Sequence, residues 1–359
     1  MTTPFRIQPV SESRLPDVDF STLRFGEVFS DHMVQVLYHD KAWQQGEVIP
    51  FGPLELSPAV SVLHYGQAVF EGLKAFRYAD GRINIFRADR HYERFIASCE
   101  RMSIPALPRE AWFEALDTLL TMDAGWVPSD TYKSYYIRPF VIATEPYLGV
   151  RPSTRYRFMI IGGPVGNYYA EGIKPVKLTT MPEYARAMKG GTGSAKSPGN
   201  YAATLKPSFQ AMEHGYAQVL WLDAKDRTFV EEVGTSNIFF VIDGTLVTPA
   251  LTDSILRGVT RDTVLALAKE FGMDVQERAI AIDEVIDAGR SGRLSEVFAS
   301  GTAAVISPVG LIHHNGATVE LDQTRMGPVA QRFYDTITGI HHGRVPDTHG
   351  WTRLLGPAR

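Results

Sequence analysis

A single cysteine, Cys99, in 359 residues leaves no internal disulfide and no thiolate cluster for a metal, which excludes a disulfide-stapled secreted scaffold. Charge of one sign is equally scarce. The 36 Lys and Arg against 40 Asp and Glu leave a formal −4, without the basic excess through which a nucleic-acid binder meets phosphates. No apolar run approaches the roughly 18 residues of a membrane helix, and no repeat or low-complexity tract interrupts the chain. The opening MTTPFRIQPVSESRLPDVDF sets proline among Glu12, Asp17 and Asp19 with no apolar stretch, unlike a signal peptide or an acid-poor transit peptide. Together these deficits predict a cytoplasmic protein whose partners are neither nucleic acid nor membrane.

What the chain does contain is the composition of a globular protein, 44% hydrophobic and 11% aromatic. At about 150 residues per domain its length predicts two domains. Residues 32–40 read as a strand, 88–102 and 109–122 as amphipathic helices, and the β-rich runs 132–144 and 156–165 as neighbouring strands. From 163 to 200, glycines at 163, 166, 172, 190, 191, 193 and 199 and prolines at 164, 175, 182 and 198 predict a linker running into a functional loop. Beyond it, helix 202–214, strand 218–223, a hairpin over 237–248 turning at Asp243-Gly244, helix 260–271 closed by Gly272, strand 295–299 and a helix near 327–340 make a second unit.

The run Gly190-Gly191-Thr192-Gly193-Ser194-Ala195-Lys196-Ser197 nearly spells the nucleotide phosphate loop, Gly-x-x-x-x-Gly-Lys-Ser. Ala195 stands where that pattern needs its second glycine, and YARAMK before it is no buried strand. Lys196 among small residues suits another chemistry, in which its amine reaches an aldehyde cofactor and forms a Schiff base. Such a cofactor demands an acid beside its ring nitrogen and a phosphate cradle. Glu231-Glu232 supplies a carboxylate candidate. Gly258-Val259-Thr260-Arg261 opens a helix whose first N–H groups favour an anion, and Ser300-Gly301-Thr302-Ala303-Ala304 is a second such turn. Each feature also has a plain alternative as a surface acid, a helix cap or an ordinary turn.

Taken in order, Glu232, Gly234, Asn237, Ile238-Phe239, Thr248, Leu256, Gly258, Val259 and Arg261 fill every position of the class IV aminotransferase signature, and the chain resembles that family. Within it, His64-Tyr65, Phe70-Glu71-Gly72-Leu73-Lys74-Ala75-Phe76, Tyr136-Ile137-Arg138-Pro139 and Lys196-x-x-Gly199-Asn200-Tyr201 resemble the branched-chain amino-acid aminotransferases. The likeness spans roughly residues 30–340. It implies an α/β (α+β) fold of type IV with a small N-terminal domain over 1–167, a linker over 168–180, and a large C-terminal domain over 181–359 that binds pyridoxal 5'-phosphate.

The resemblance also implies roles. Lys196 carries the cofactor as a Schiff base and shuttles a proton, Glu232 bonds the ring nitrogen, and Tyr201 donates to the ring oxygen. Arg94, with Gly258, Val259, Thr260 and Thr302, holds the phosphate, and Leu256 packs on the ring. Tyr65, Phe70, Tyr136 and Tyr168 wall the substrate pocket, Arg138 meets the second carboxylate of an acidic substrate, and Thr235, Ala303 and Ala304 bind substrate. Tyr136 and Arg138, two apart on a strand, must share a face. Glu231 reads as solvated, as do His313-His314, His341-His342 and His349, which lack companions for a metal site. The implied activity is reversible transamination between L-leucine, L-isoleucine or L-valine and 2-oxoglutarate by a homodimer. D-amino-acid aminotransferases and aminodeoxychorismate lyases are the alternatives on the same fold, and a nucleotide-binding protein is the alternative of another class.

Overall fold

The computed structural model describes residues 4–166 and 173–356, which divide into two compact units. The first takes the chain through residue 166 together with Ala195–Pro198 and the described part of Gly339–Arg359; the second takes the described residues up to Ser194 and Gly199–Thr338.

The first unit is built on a sheet of ten described strands. Its main path runs Arg6–Ile7, Glu47–Pro50, His32–His39, Tyr156–Val165, Ser134–Ala143, Leu73–Arg77, Ile83–Phe86 and Thr352–Leu355; Ala42–Trp43 and Ala68–Phe70 join His32–His39 and Ser134–Ala143. Burial in Ser134–Ala143 alternates almost residue by residue, the period-2 signature of a strand with one face in a core. Tyr135, Ile137 and Val141 point into that core. There they join Phe158 and Ile160, and the apolar stripes of helices Ala88–Arg101 and Arg109–Met122 close over them with Phe95, Trp112, Leu116 and Leu119. Each such side chain contributes about 1.5–3 kcal/mol by leaving water.

The second unit holds a sheet of nine described strands: Val230–Val233, Gln218–Leu222, Val176–Thr179, Val305–His314, Leu294–Gly301, Asn237–Ile242, Thr245–Pro249 and Val275–Arg278 in order, with Ala317–Glu320 on Val305–His314. Asn237–Ile242 is buried at every position, because helices cover both faces and such a strand needs no polar side. Ile238 and Phe240 pack with Ile282, Val285 and Ile286 of helix Ile282–Arg290. On the other face Phe239 stacks on Phe298, and Phe298 meets Phe333 of helix Pro328–His341.

Two features depart from the sequence reading. Val176–Thr179, inside the expected linker 168–180, pairs in parallel with Gln218–Leu222 and with Val305–His314. Its four residues are too short for a periodic signal, and both partners come later in the chain. Residues from 339 onward were expected in the C-terminal domain, yet Thr352–Leu355 pairs antiparallel with Ile83–Phe86 of the first unit. The expected helix 202–214 forms as Leu205–Glu213, after a separate turn, Pro198–Ala202, in which Pro198 takes the first position that suits a residue lacking an N–H.

Candidate active site

In the first unit Lys196 is held by its backbone. Its N–H donates to Ser98 Oγ at 3.0 Å, and its carbonyl accepts from Phe70 N–H at 3.0 Å. Ser98 lies on helix Ala88–Arg101 and donates its own hydroxyl to Arg94 O, so the helix fixes the lysine backbone while the half-buried side chain extends from it. The amine stands 4.9 Å from the centroid of the Phe70 ring, and the Arg138 guanidinium stands 4.8 Å from the same centroid. Tyr136 and Arg138 do share a face, and Arg138 Nη2 donates to the Tyr136 hydroxyl at 2.9 Å. Phe70, Tyr136, Arg138 and Lys196 therefore form one group. Tyr65, 45% exposed, donates its hydroxyl to Leu148 O and lines a separate cavity with Ser61, Gln67, Ser103, Val150 and Arg151. Tyr168 lies outside the described residues.

Arg94 comes with an apparatus that sequence reading missed. Glu71 has no exposed surface and accepts from Arg94 Nε at 2.7 Å, Arg94 Nη2 at 2.8 Å and His91 Nδ1 at 2.8 Å. Burial by itself would raise the Glu71 carboxyl, but the Arg94 and His91 contacts outweigh it and hold the group well below the usual carboxylate range. Burial likewise lowers His91, against the pull of Glu71, leaving a neutral imidazole whose Nδ1–H donates. The guanidinium is thus aimed by a carboxylate from the segment between two strands and a histidine one helical turn away. Glu71 stood in the motif already read, but nothing in the sequence showed that it would be buried.

In the second unit Tyr201, Glu232, Thr235 and Leu256 line one small cavity, together with Arg186, Asn200, Thr204 and Gly234. Glu232 is 3% exposed. It is ion-paired to Arg186 through Oε2 and accepts from Asn237 Nδ2 at 3.2 Å through Oε1. Asn237 Nδ2 also donates to Leu256 O at 3.0 Å, so one side chain ties the acid to the segment entering the helix Val259–Glu270. Other signature residues act the same way: Thr248 donates to Ile238 O at 2.7 Å, and Arg261 clamps Pro249 O and Glu277. Gly258 is required by contact, since a Cβ there would lie 1.8 Å from Asn237 Oδ1.

Among the described residues no side chain caps the helix at Gly258, so the first-turn N–H groups of Val259, Thr260 and Arg261, which have no partner within the helix, favour an anion. Thr302, Ala303 and Ala304 form the turn between Leu294–Gly301 and Val305–His314. The turn closes on Val305 at φ +64°, a conformation that costs a β-branched residue about 1–3 kcal/mol and is found mainly at functional sites. Beside it Ser300 Oγ is buried without a hydrogen-bond partner among the described residues. A buried carboxylate, a phenol and a ring of open donors can hold a planar anionic ligand with a basic ring nitrogen.

Glu231 and the histidines correct the sequence reading. Glu231, expected in solvent, is buried, accepts from Ser254 Oγ, and has its carboxyl raised by burial. His314, His341 and His342 are buried as well, since each lies on or against a packed element whose burial depends on distant partners. Arg186 carried no motif and was missed altogether.

The family profile "Amino-transferase class IV" matches residues 68–312. Branched-chain-amino-acid aminotransferase 2 of Bacillus subtilis (strain 168) is 49% identical over 344 residues, covering 96% of this chain and 95% of that protein. The branched-chain-amino-acid aminotransferase of Mycolicibacterium smegmatis is 48% identical over 337 residues, covering 92% of each chain. The structure of the Escherichia coli branched-chain amino acid aminotransferase matches with a TM-score of 0.73 at 28% identity, covering 88% of this chain and 98% of that one. With the signature complete and the profile covering well over half of its length, the chain belongs to the class IV aminotransferase family.

Proposed function

We propose that this chain binds pyridoxal 5'-phosphate and reversibly transfers the amino group of L-leucine, L-isoleucine or L-valine to 2-oxoglutarate, working as a homodimer in the cytoplasm. The observation that carries the reading is the near full-length 49% identity to a protein named for branched-chain transamination. The residues present fit the cofactor. The acid Glu232 is buried and lines one cavity with a phenol, and the helix after Gly258 starts without a side-chain cap.

Bound pyridoxal phosphate supplies an electron sink that makes the substrate Cα–H acidic. Lys196 Nζ is the group that takes and returns the Cα proton. The Glu232 carboxylate keeps a proton on the ring nitrogen, and the Tyr201 hydroxyl donates to the ring oxygen. Arg94, aimed by Glu71, holds the phosphate with the N–H groups after Gly258 and the hydroxyls of Thr260 and Thr302, while Leu256 packs against the ring. Phe70 and Tyr136 offer an aliphatic side chain apolar surface, and the resemblance assigns Tyr168 to the same wall. Arg138 meets the distal carboxylate of 2-oxoglutarate, and Thr235, Ala303 and Ala304 hold the substrate.

The test is turnover by purified protein supplied with the cofactor, read as glutamate formed from 2-oxoglutarate with L-leucine or D-alanine, and as pyruvate released from aminodeoxychorismate. L-leucine is expected to react fastest and the protein to show a visible absorption band. Lys196→Ala should lose that band and at least about 10²–10⁴ of the rate. A colourless, inactive wild-type protein, or faster turnover of D-alanine, overturns the reading.

A further inference from the structure

Arg186 joins three stretches that lie far apart in the sequence. Its side chain is buried and ion-paired with Glu232. The same guanidinium donates to Ser254 O, in the segment leading to Leu256 and Gly258, and to Gly193 O at 3.3 Å, in the loop leading to Lys196. Its Nε–H is buried and meets no acceptor among the described residues, beside the cavity that Arg186 lines with Glu232 and Tyr201. All three contacts converge on Nη2, which the rigid guanidinium plane holds in one place; a lysine ammonium is a point charge on a flexible stem and would not be held so.

The loop that Arg186 grips is closely fitted. Gly190 N–H donates to Asp253 Oδ2 at 2.7 Å and Ser194 N–H to Asp253 O at 2.9 Å. Thr192 and Asn200 exchange two bonds of 2.7 Å. At Gly193 the loop meets segment 252–254 so closely that a Cβ would lie 2.4 Å from Ser254 O. The Gly-rich run is therefore braced, and Arg186 links that brace to the acid.

We propose that Arg186 is a positioning residue that sets where the Glu232 carboxylate stands against the Gly190–Ser194 loop, and through that acid sets how firmly the cofactor's ring nitrogen keeps its proton. The proposal rests on the role given to Glu232 under Proposed function. Lost registry of about 1 Å at a reacting group costs on the order of 10²-fold in rate, and the effect belongs in kcat because no substrate contact is removed.

The experiment compares holoenzyme carrying Arg186→Met, Arg186→Lys, Glu232→Gln and the double change R186M/E232Q. It reads steady-state kinetics, the ¹⁵N signal of the ring nitrogen in labelled cofactor, and amide hydrogen exchange at Gly193 and Ser194. Arg186→Met should lower kcat about 100-fold with KM for L-leucine within about threefold, move the ring signal toward the unprotonated form, and speed exchange. Arg186→Lys keeps the charge without the fork, so exchange should rise and kcat fall about tenfold while the ring stays protonated. Adding Arg186→Met to Glu232→Gln should cost less than about threefold more, because nothing remains to be positioned.

Losses that multiply in the double variant, or an unchanged ring signal and kcat in Arg186→Met, overturn the proposal. If Arg186→Met does not fold, wild-type kcat and exchange in Arg186→Lys overturn it instead. Wild-type protein that makes no glutamate from leucine removes the reading of the site itself, whereas active wild-type protein with indifferent Arg186 variants removes only this inference.

Discussion

A carboxylate with no exposed surface survives burial only when cations and N–H donors replace the water it gives up. Glu71 has Arg94 and His91 for this purpose, and the arrangement has a pH signature. Its carboxyl is held below the ordinary value of 4.5 in the folded chain. Above that value both states are ionised and the pair contributes in full; as pH falls below it, the unfolded chain takes up the proton first and the stabilisation drains away. Glu71→Gln leaves Arg94 facing a neutral amide in a buried setting, a loss of about 3 kcal/mol at pH 7. Urea unfolding of wild type and variant should show that gap at pH 7 and its narrowing below about pH 4.5. Equal stability at pH 7 would mean that solvent, not Glu71, carries the guanidinium's charge.

One helix in this protein is anchored at its start by a side chain from a distant strand. The helix Pro328–His341 begins against strand Leu294–Gly301, where Glu296 Oε1 accepts from Val329 N–H and Oε2 from Ala330 N–H, both at 2.9 Å. A carboxylate there satisfies two donors that the helix cannot and sits at the positive end of its dipole. Glu296→Ala should cost about 1–2 kcal/mol, read as a lowered denaturation midpoint with an unchanged dependence on denaturant concentration. The same logic with the roles reversed applies at Gly258, where no side chain caps the helix start. One helix start is closed by a carboxylate, while the other has no side-chain cap among the described residues. The helices themselves were legible, since 88–102 and 109–122 carry a strong 3.6-residue period and appear as Ala88–Arg101 and Arg109–Met122. The acid that caps Pro328–His341 was not, because a cap contributed by a distant strand leaves no local pattern.

At the scale of the whole molecule, the chain leaves its first unit, crosses back briefly at Ala195–Pro198, and returns for good at Gly339. The last return places Thr352–Leu355 on Ile83–Phe86, a strand buried at every residue. Trp351 O accepts from Arg87 N–H at 2.7 Å, the Trp351 ring lies under the Arg87 guanidinium, 4.9 Å from the ring centroid, and Arg353 pairs with Asp117. Removing residues 345–359 would uncover a buried strand edge, the kind that recruits other chains. The melting midpoint is expected to fall by about 5–10 °C, at about 2–4 °C per kcal/mol for a chain of this size, with earlier aggregation by light scattering. An unchanged melting curve would show that the terminal strand adds nothing to the first unit.

The sequence alone determined which groups are available for the proposed chemistry. Lys196, Glu232, the helix opening at Gly258 and the turn at Thr302 are specified by residue type and order, because a nucleophilic amine, an acid and unpaired N–H groups are properties of local chain. Tyr136 and Arg138 were also legible, since a strand's period of two puts alternate residues on one face whatever surrounds it. Only the tertiary structure decided who holds these groups. Arg186 on Glu232, Glu71 on Arg94, Val176–Thr179 inside a sheet and Thr352–Leu355 at the edge of another all depend on partners remote in sequence. A group's chemistry travels with its residue, whereas its burial and charge balance are set by whatever the folded chain brings against it.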